Sequence, residues 1–173
     1  ALKQAQQDRE LLEEMRNQLK SPKPELLDRI TQLQEDLKKE RQQRERLEDR
    51  VGSFLGTALR QNAIFENGCH ILVKKVEENI DLKRLAHSVY DNQDDFVGLL
   101  ASVIEDKVTL VAFASPTLAQ KRNLHIGKKL GEWVKIVGGK GGGHQDFAQG
   151  GGSFVNQVDQ LLTTVLKDLK SLP

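Results

Sequence analysis

Cysteine is nearly absent from this sequence. Cys69 is the one thiol in 173 residues, so no internal disulfide can form, and the usage fits a reducing, cytoplasmic compartment. Aromatic residues make up 5% and charged residues 29%. That balance disfavours a single round, fully packed core and points to an extended helical part beside a compact one. No apolar run approaches the roughly 18 residues of a membrane span, so no membrane partner is expected. There is no basic, apolar, small-residue leader. The helical pattern is already running at Ala1 without a cap, which reads as a cut through a longer protein.

Signatures of chemistry are missing as well. There is no H-E-x-x-H and no cysteine pair, and Cys69 and His70 are strand neighbours whose side chains point to opposite faces. Gly127-Lys128 is followed by Lys129 rather than Ser or Thr, so it is no Walker A. Asp91, Asp94 and Asp95 read as a turn. No catalytic residue, metal site or cofactor is expected in this chain.

The net charge is +1, which gives no global field, but the charges are segregated. Between 66 and 106, four Lys or Arg face nine Asp or Glu; between 121 and 144, six face one. A basic lobe of this kind attracts anions locally, over about 8–10 Å at physiological salt. Its members Lys121, Arg122, Lys128, Lys129, Lys135 and Lys140 are candidates for contact with RNA phosphate, an ordinary solvated face being the alternative. Lys128 and Lys135 lie seven apart, on one side of a helix.

Residues 1–60 read as helix. Leu12, Met15 and Leu19 form a stripe that Ser21-Pro22-Lys23-Pro24 interrupts, with Ser21 as the expected cap of a second helix. Leu26, Ile30, Leu33, Leu37, Leu47, Val51 and Phe54 then follow a heptad spacing spoiled only at Glu40 and Arg44. The short break predicts an antiparallel hairpin with Leu19 near Leu26, Met15 near Ile30 and Leu12 near Leu33. Residues 47 to 59 must bury their stripe elsewhere, most simply on the compact part.

From about residue 61 the period changes. A strand is expected at 69–73 and a helix through Leu82, Leu85, Ala86, Val89 and Tyr90. A hairpin follows, 96–104 and 108–114, and then a broken helical stretch from Pro116 to Val137. Last comes an amphipathic helix from Phe154 to Leu169. The whole is an α+β chain: a long N-terminal antiparallel helical hairpin over 1–60, a coiled-coil arm, then a compact α/β sandwich on a small mixed sheet over 61–173. Trp133 and Tyr90 fall on apolar stripes and are expected in the core.

The segment between the last two helices, 138–152, holds eight of the fourteen glycines. Each ordered glycine costs roughly 0.5–1 kcal/mol against alanine, so their concentration needs a cause. One is chemical: bared N–H groups converging on a phosphate or sugar, with Ser153 capping the last helix behind them. Tight internal packing is the other. The dinucleotide pattern G-x-G-x-x-G fails because His144 stands where its third glycine belongs. On the chemical reading Gly139, Lys140, Gly141, Gly142, Gly143, His144, Gln145 and Ser153 contact RNA, and His144 bonds a phosphate or stacks on a base.

Lys140-Gly-Gly-Gly-His144 followed by Ala148-Gln149-Gly-Gly-Gly152 resembles the glycine-rich signature closing the carboxyl-terminal domain of alanyl-tRNA synthetases. The Pro-interrupted hairpin looks like that family's arm, so the resemblance covers nearly the whole chain. His144 and Gln145 depart from the usual Arg or Lys and Pro. GGGH also resembles the related domain of DHH-superfamily phosphodiesterases; Gln149 and Gly152 favour the synthetases. The synthetase resemblance implies a non-catalytic tRNA-binding module of an alanine–tRNA ligase. It would grip the outer corner of tRNA and link aminoacylation with editing. ATP and zinc belong, on this resemblance, to the upstream catalytic and editing domains of the same polypeptide. A dimerisation or assembly module (a homodimer) is an alternative role, and the substrate-binding half of a phosphodiesterase is another.

Overall fold

A computed structural model describes residues 2–77 and 80–172. The chain divides into two compact units, 1–47 and 48–173. The division falls at Leu47 rather than near residue 60, because the last turns of the second helix pack into the second unit.

The first unit contains helix α1 (Leu2–Leu19), a single 3-10 turn (Lys23–Glu25) and the first part of α2 (Leu26–Gln61). Ser21 is buried and donates its N–H to the Arg16 carbonyl. It does not cap α2, which begins five residues later: two prolines and the 3-10 turn intervene. At the turn Leu26 is buried and Leu19 half-buried. Farther along, Leu12, Met15, Leu33 and Leu37 stay 41–50% exposed, so the burial expected from pairing along the stripe is only partial.

The second unit is built on a six-stranded sheet in the order β1-β2-β3-β4-β6-β5. Its strands are β1 (Ile64–Glu66), β2 (Cys69–Val76), β3 (Phe96–Ile104), β4 (Lys107–Ala114), β5 (Lys140–Gly143) and β6 (Phe147–Gly152). Only β2 and β3 run parallel, joined through helix α3 (Leu82–Tyr90). Asn67 and Gly68, both with positive φ, make the two-residue turn between β1 and β2, a geometry that matches the right-handed twist of paired strands. Asp81 starts α3, accepting from the N–H groups of Lys83 and Arg84.

The uninterrupted apolar runs of β3 and β4 follow from burial on both faces. On one face lie α4 (Pro116–Lys121), α5 (Ile126–Trp133) and α6 (Val158–Lys170), packed on Ile71, Leu99, Leu110 and Ala148. On the other lie α3 and the end of α2, where Leu55 and Leu59 pack against the cluster of Leu72, Leu100, Val111 and Phe113. The α2–α3 contact is close: a methyl added at Gly56 would fall 2.2 Å from Ser88 Oγ, and that hydroxyl donates to the Gly52 carbonyl at 2.9 Å. Residues 47 to 59 thus find cover for Leu55 and Leu59, whereas Val51 and Phe54 remain exposed. Trp133 is buried, and Tyr90 is half-buried with its ring stacked on Phe113.

Candidate nucleic-acid interface

The glycine-rich segment is not a loop. It forms the β5–β6 hairpin, with Gly141 opposite Gly150 and Gly143 opposite Ala148, at the edge of the sheet. Most of its main-chain donors are spent inside the protein. Strand β6 lies between β4 and β5. The N–H of Gly138 goes to Lys135, that of Gly139 to Val134, and those of Ser153 and Phe154 both to the Val137 carbonyl. Ser153 does not cap the last helix either, since α6 starts at Val158 after a 3-10 turn (Val155–Gln157). Strand pairing and the adjoining turns thus take many of the N–H groups expected to converge on an anion.

Packing accounts for most of the missing side chains. A methyl on Gly139 would lie 1.8 Å from the Gly151 carbonyl, and one on Gly152 2.2 Å from that of Val137. Helix α5 lies against the hairpin, where a methyl on Gly127 would meet the Gly143 oxygen at 2.4 Å. The hairpin tip in turn caps the start of α5: the carbonyls of Gln145 and His144 accept the N–H groups of Ile126 and Gly127, and His125 Nδ1 accepts that of Lys128.

Gly142 is different. It is exposed, and a methyl there would have no atom within 4 Å. Its neighbours present the main chain itself. His144 donates its N–H to the Phe147 carbonyl at 2.7 Å, and bonding alternates along an antiparallel pair. Gly142 and Lys140 are thereby bonded to β6, while Gly141 and Gly143 turn their N–H and C=O groups away from it, on the side where the Gly143 backbone meets Gly127 of α5. Among the described residues no strand lies beyond β5, and α5 packs on that side.

The basic residues divide into two groups. Arg122 donates Nη2 to the Asn67 carbonyl, tying the end of α4 to the β1–β2 turn. Lys129 Nζ sits 3.0 Å from Asp168 Oδ2, the oxygen that also accepts from Trp133 Nε1 at 2.9 Å. Both are half-buried and held by partners within the protein. Lys121, Lys128, Lys135 and Lys140 are exposed. Lys128, Glu132 and Lys135 share one side of the helical stretch, so a carboxylate stands within the basic row.

His144 is exposed at the tip. Gln145 Nε2 donates to the Ala119 carbonyl at 3.3 Å, which joins the tip to α4. On the opposite side of the tip, His87 stacks on Phe147 with centroids 5.0 Å apart and donates to or accepts from the Tyr90 hydroxyl at 2.6 Å. Burial, with Asp146 and Asp91 adding to it, pushes the Tyr90 hydroxyl up to about 12. Nothing in the local sequence marks His87 or His125 as belonging here, since each is brought to the tip by a different helix. Cys69 is buried, and burial raises its thiol above the ordinary range. Among the described residues no group of His, Cys, Asp and Glu could hold a metal ion. Among them, too, no helix is long and apolar enough to cross a membrane.

The second unit is thus a two-sided α/β layer whose sheet ends in a glycine hairpin packed on a glycine-bearing helix. Residues 67–171 match the DHHA1 domain model, and the chain belongs to that family. Alanine–tRNA ligase of Thermoanaerobacter sp. strain X514 is 30% identical over 172 residues, covering 98% of this chain and 20% of the relative. The enzyme of the same name from Nostoc punctiforme is 33% identical over 165 residues, 93% of this chain and 18% of the relative. The chain spans about one fifth of the length of the curated relatives it matches. The fold is also that of the C-Ala domain of Aquifex aeolicus alanyl-tRNA synthetase. The TM-score there is 0.56 at 21% identity, over 63% of this chain and 98% of that one.

Proposed function

We propose that this chain is a non-catalytic tRNA-binding part of an alanine–tRNA ligase, and that RNA backbone docks on β5 at Gly142. The observation that carries the reading is Gly142. Packing explains the other close-set glycines of the hairpin, but the fold leaves ample room for a side chain here. A bare, exposed position with open space above it lets a phosphate or ribose come close to the main chain at Gly142. Lys128, Lys135 and Lys140 supply positive charge beside it, and His144 a donor at the tip. The names of the relatives support tRNA as the partner. The outer corner of the tRNA, and the joining of aminoacylation to editing in upstream domains, belong to the same proposal. RNA duplex suits such a surface because its backbone and 2′-hydroxyls are the accessible features.

Filter binding of tRNA across a salt series tests this. Roughly micromolar binding that weakens steeply with salt is expected, since neutralised phosphates release counterions. Absence of tRNA retention at low salt removes the proposal.

The half-exposed stripe of Leu12, Met15, Leu33 and Leu37 favours a separate, second role for residues 1–47 in assembly, as a homodimer. Apolar stripes of that spacing are covered by a partner helix in coiled coils. Sedimentation with and without tRNA distinguishes the two roles: a tight dimer indifferent to tRNA supports assembly, and a monomer at all concentrations excludes it.

A further inference from the structure

Strand β1 has three residues and β2 eight, so the flank of β2 runs on uncovered past Ile71. The two-residue turn makes Glu66–Cys69 a bonded pair, and alternation makes Ile64–Ile71 the next. By the same phase, Val73 and Lys75 turn their N–H and C=O groups outward, away from β3. His70 supports the phase: its N–H goes to the Asp95 carbonyl, just before β3, at 2.7 Å.

This flank floors a cavity of 590 Å³, walled by Leu55 and Leu59 of α2, Leu85 of α3 and Leu162 of α6. The walls thus come from both sides of the sheet. Lys74 and Lys75 are exposed at the floor, and Glu77 lies at its far end. The free stretch of β2, about four residues, is roughly 13 Å long at the usual strand rise.

We propose that this groove takes an extended segment of a partner protein as an added strand. Lys74 shares a face of β2 with Leu55 and Leu59, and Lys75 shares the other with Leu162, so the segment would turn apolar side chains to the leucines of one face and acidic ones to the lysine of the other. Main-chain bonds to Val73 and Lys75 supply affinity, and the alternate side chains supply selection. Charge argues against a second copy of this chain as the occupant. Antiparallel self-pairing through Val73 and Lys75 centres on Lys74 and sets it opposite itself, and like charges directly opposite are destabilising. The surface lies apart from β5, at the opposite edge of the sheet.

The test uses the whole 173-residue chain, labelled with nitrogen-15, and two blocked hexapeptides as probes: one alternating valine with glutamate, the other valine with lysine. With the glutamate peptide at millimolar concentration, the amides of Val73 and Lys75 should shift and exchange more slowly. The lysine peptide should bind about tenfold more weakly, a charge discrimination typical of close pairs. Lys75→Pro removes an outward donor together with the Lys75 charge and should weaken the glutamate peptide by at least about tenfold. The double variant Lys74→Glu with Lys75→Glu should reverse the preference between peptides, and it carries the test if the proline variant does not fold. Unchanged tRNA retention in that double variant separates this surface from the RNA edge. Equal binding of both peptides overturns the proposal. So do silent Val73 and Lys75 amides, and so does protection that grows with protein concentration alone.

Discussion

Gly127 of α5 and Gly143 of β5 touch backbone to backbone, so that a methyl on the first would sit 2.4 Å from the carbonyl oxygen of the second. Helix and edge strand approach to a distance that a side chain on residue 127 would not permit. The hairpin owes its place to this contact as much as to its pairing with β4.

Gly127→Ala should therefore destabilise the domain by about 1–3 kcal/mol, the usual cost of forcing an added group into a packed site. Thermal unfolding followed by circular dichroism measures it. Gly142→Ala should leave the midpoint unchanged or raise it slightly, since alanine restricts the unfolded chain. Equal losses from both substitutions would contradict the packing account.

Function should divide the other way. Gly142→Gln fills the open position on the β5 edge and should weaken tRNA retention severalfold with the thermal midpoint preserved. Retention equal to that of the parent chain would show that RNA does not approach this strand.

The two groups of lysines should separate in a salt titration. Lys140→Ala is expected to weaken tRNA binding and lower the slope of log affinity against log salt by about one. Lys129→Ala should leave the slope alone and lower stability, because it strips Asp168 of one of its two partners. A slope change from Lys129 rather than Lys140 would reverse the assignment.

Tyr90 is the single tyrosine, so its ionisation is readable in the ultraviolet spectrum. Its hydroxyl is raised to about 12 in the fold, against about 10 in an unfolded chain. The folded state then holds the proton where the unfolded state has lost it. Stability is full below pH 10 and falls as pH climbs from there towards 12. Tyr90→Phe should remove that slope. A native tyrosine titrating near 10 in folded protein would refute the upward shift.

Much of this was legible in the residues. The period change near residue 60, the strands at 69, 96 and 108, the final helix and the family all follow from local pattern. The hairpin at 138–152 was not legible. Strings of glycine have no periodicity to read and low strand propensity, and they become strands here only because β4 offers a ladder and α5 a close surface. For the same reason Arg122 and Lys129 look like any other basic residue until Asn67 and Asp168 are placed beside them.

The sequence by itself determined the helical first part, the composition of the core and the bareness of the main chain between 138 and 152, because each is a property of neighbours along the chain. Tertiary structure alone decided which bared amides are spent and which face outward, which lysines are tied down, and where β2 is left without a neighbour. Those are matters of pairing between residues far apart in the chain, and hydrogen-bonding capacity is allotted only when the sheet closes.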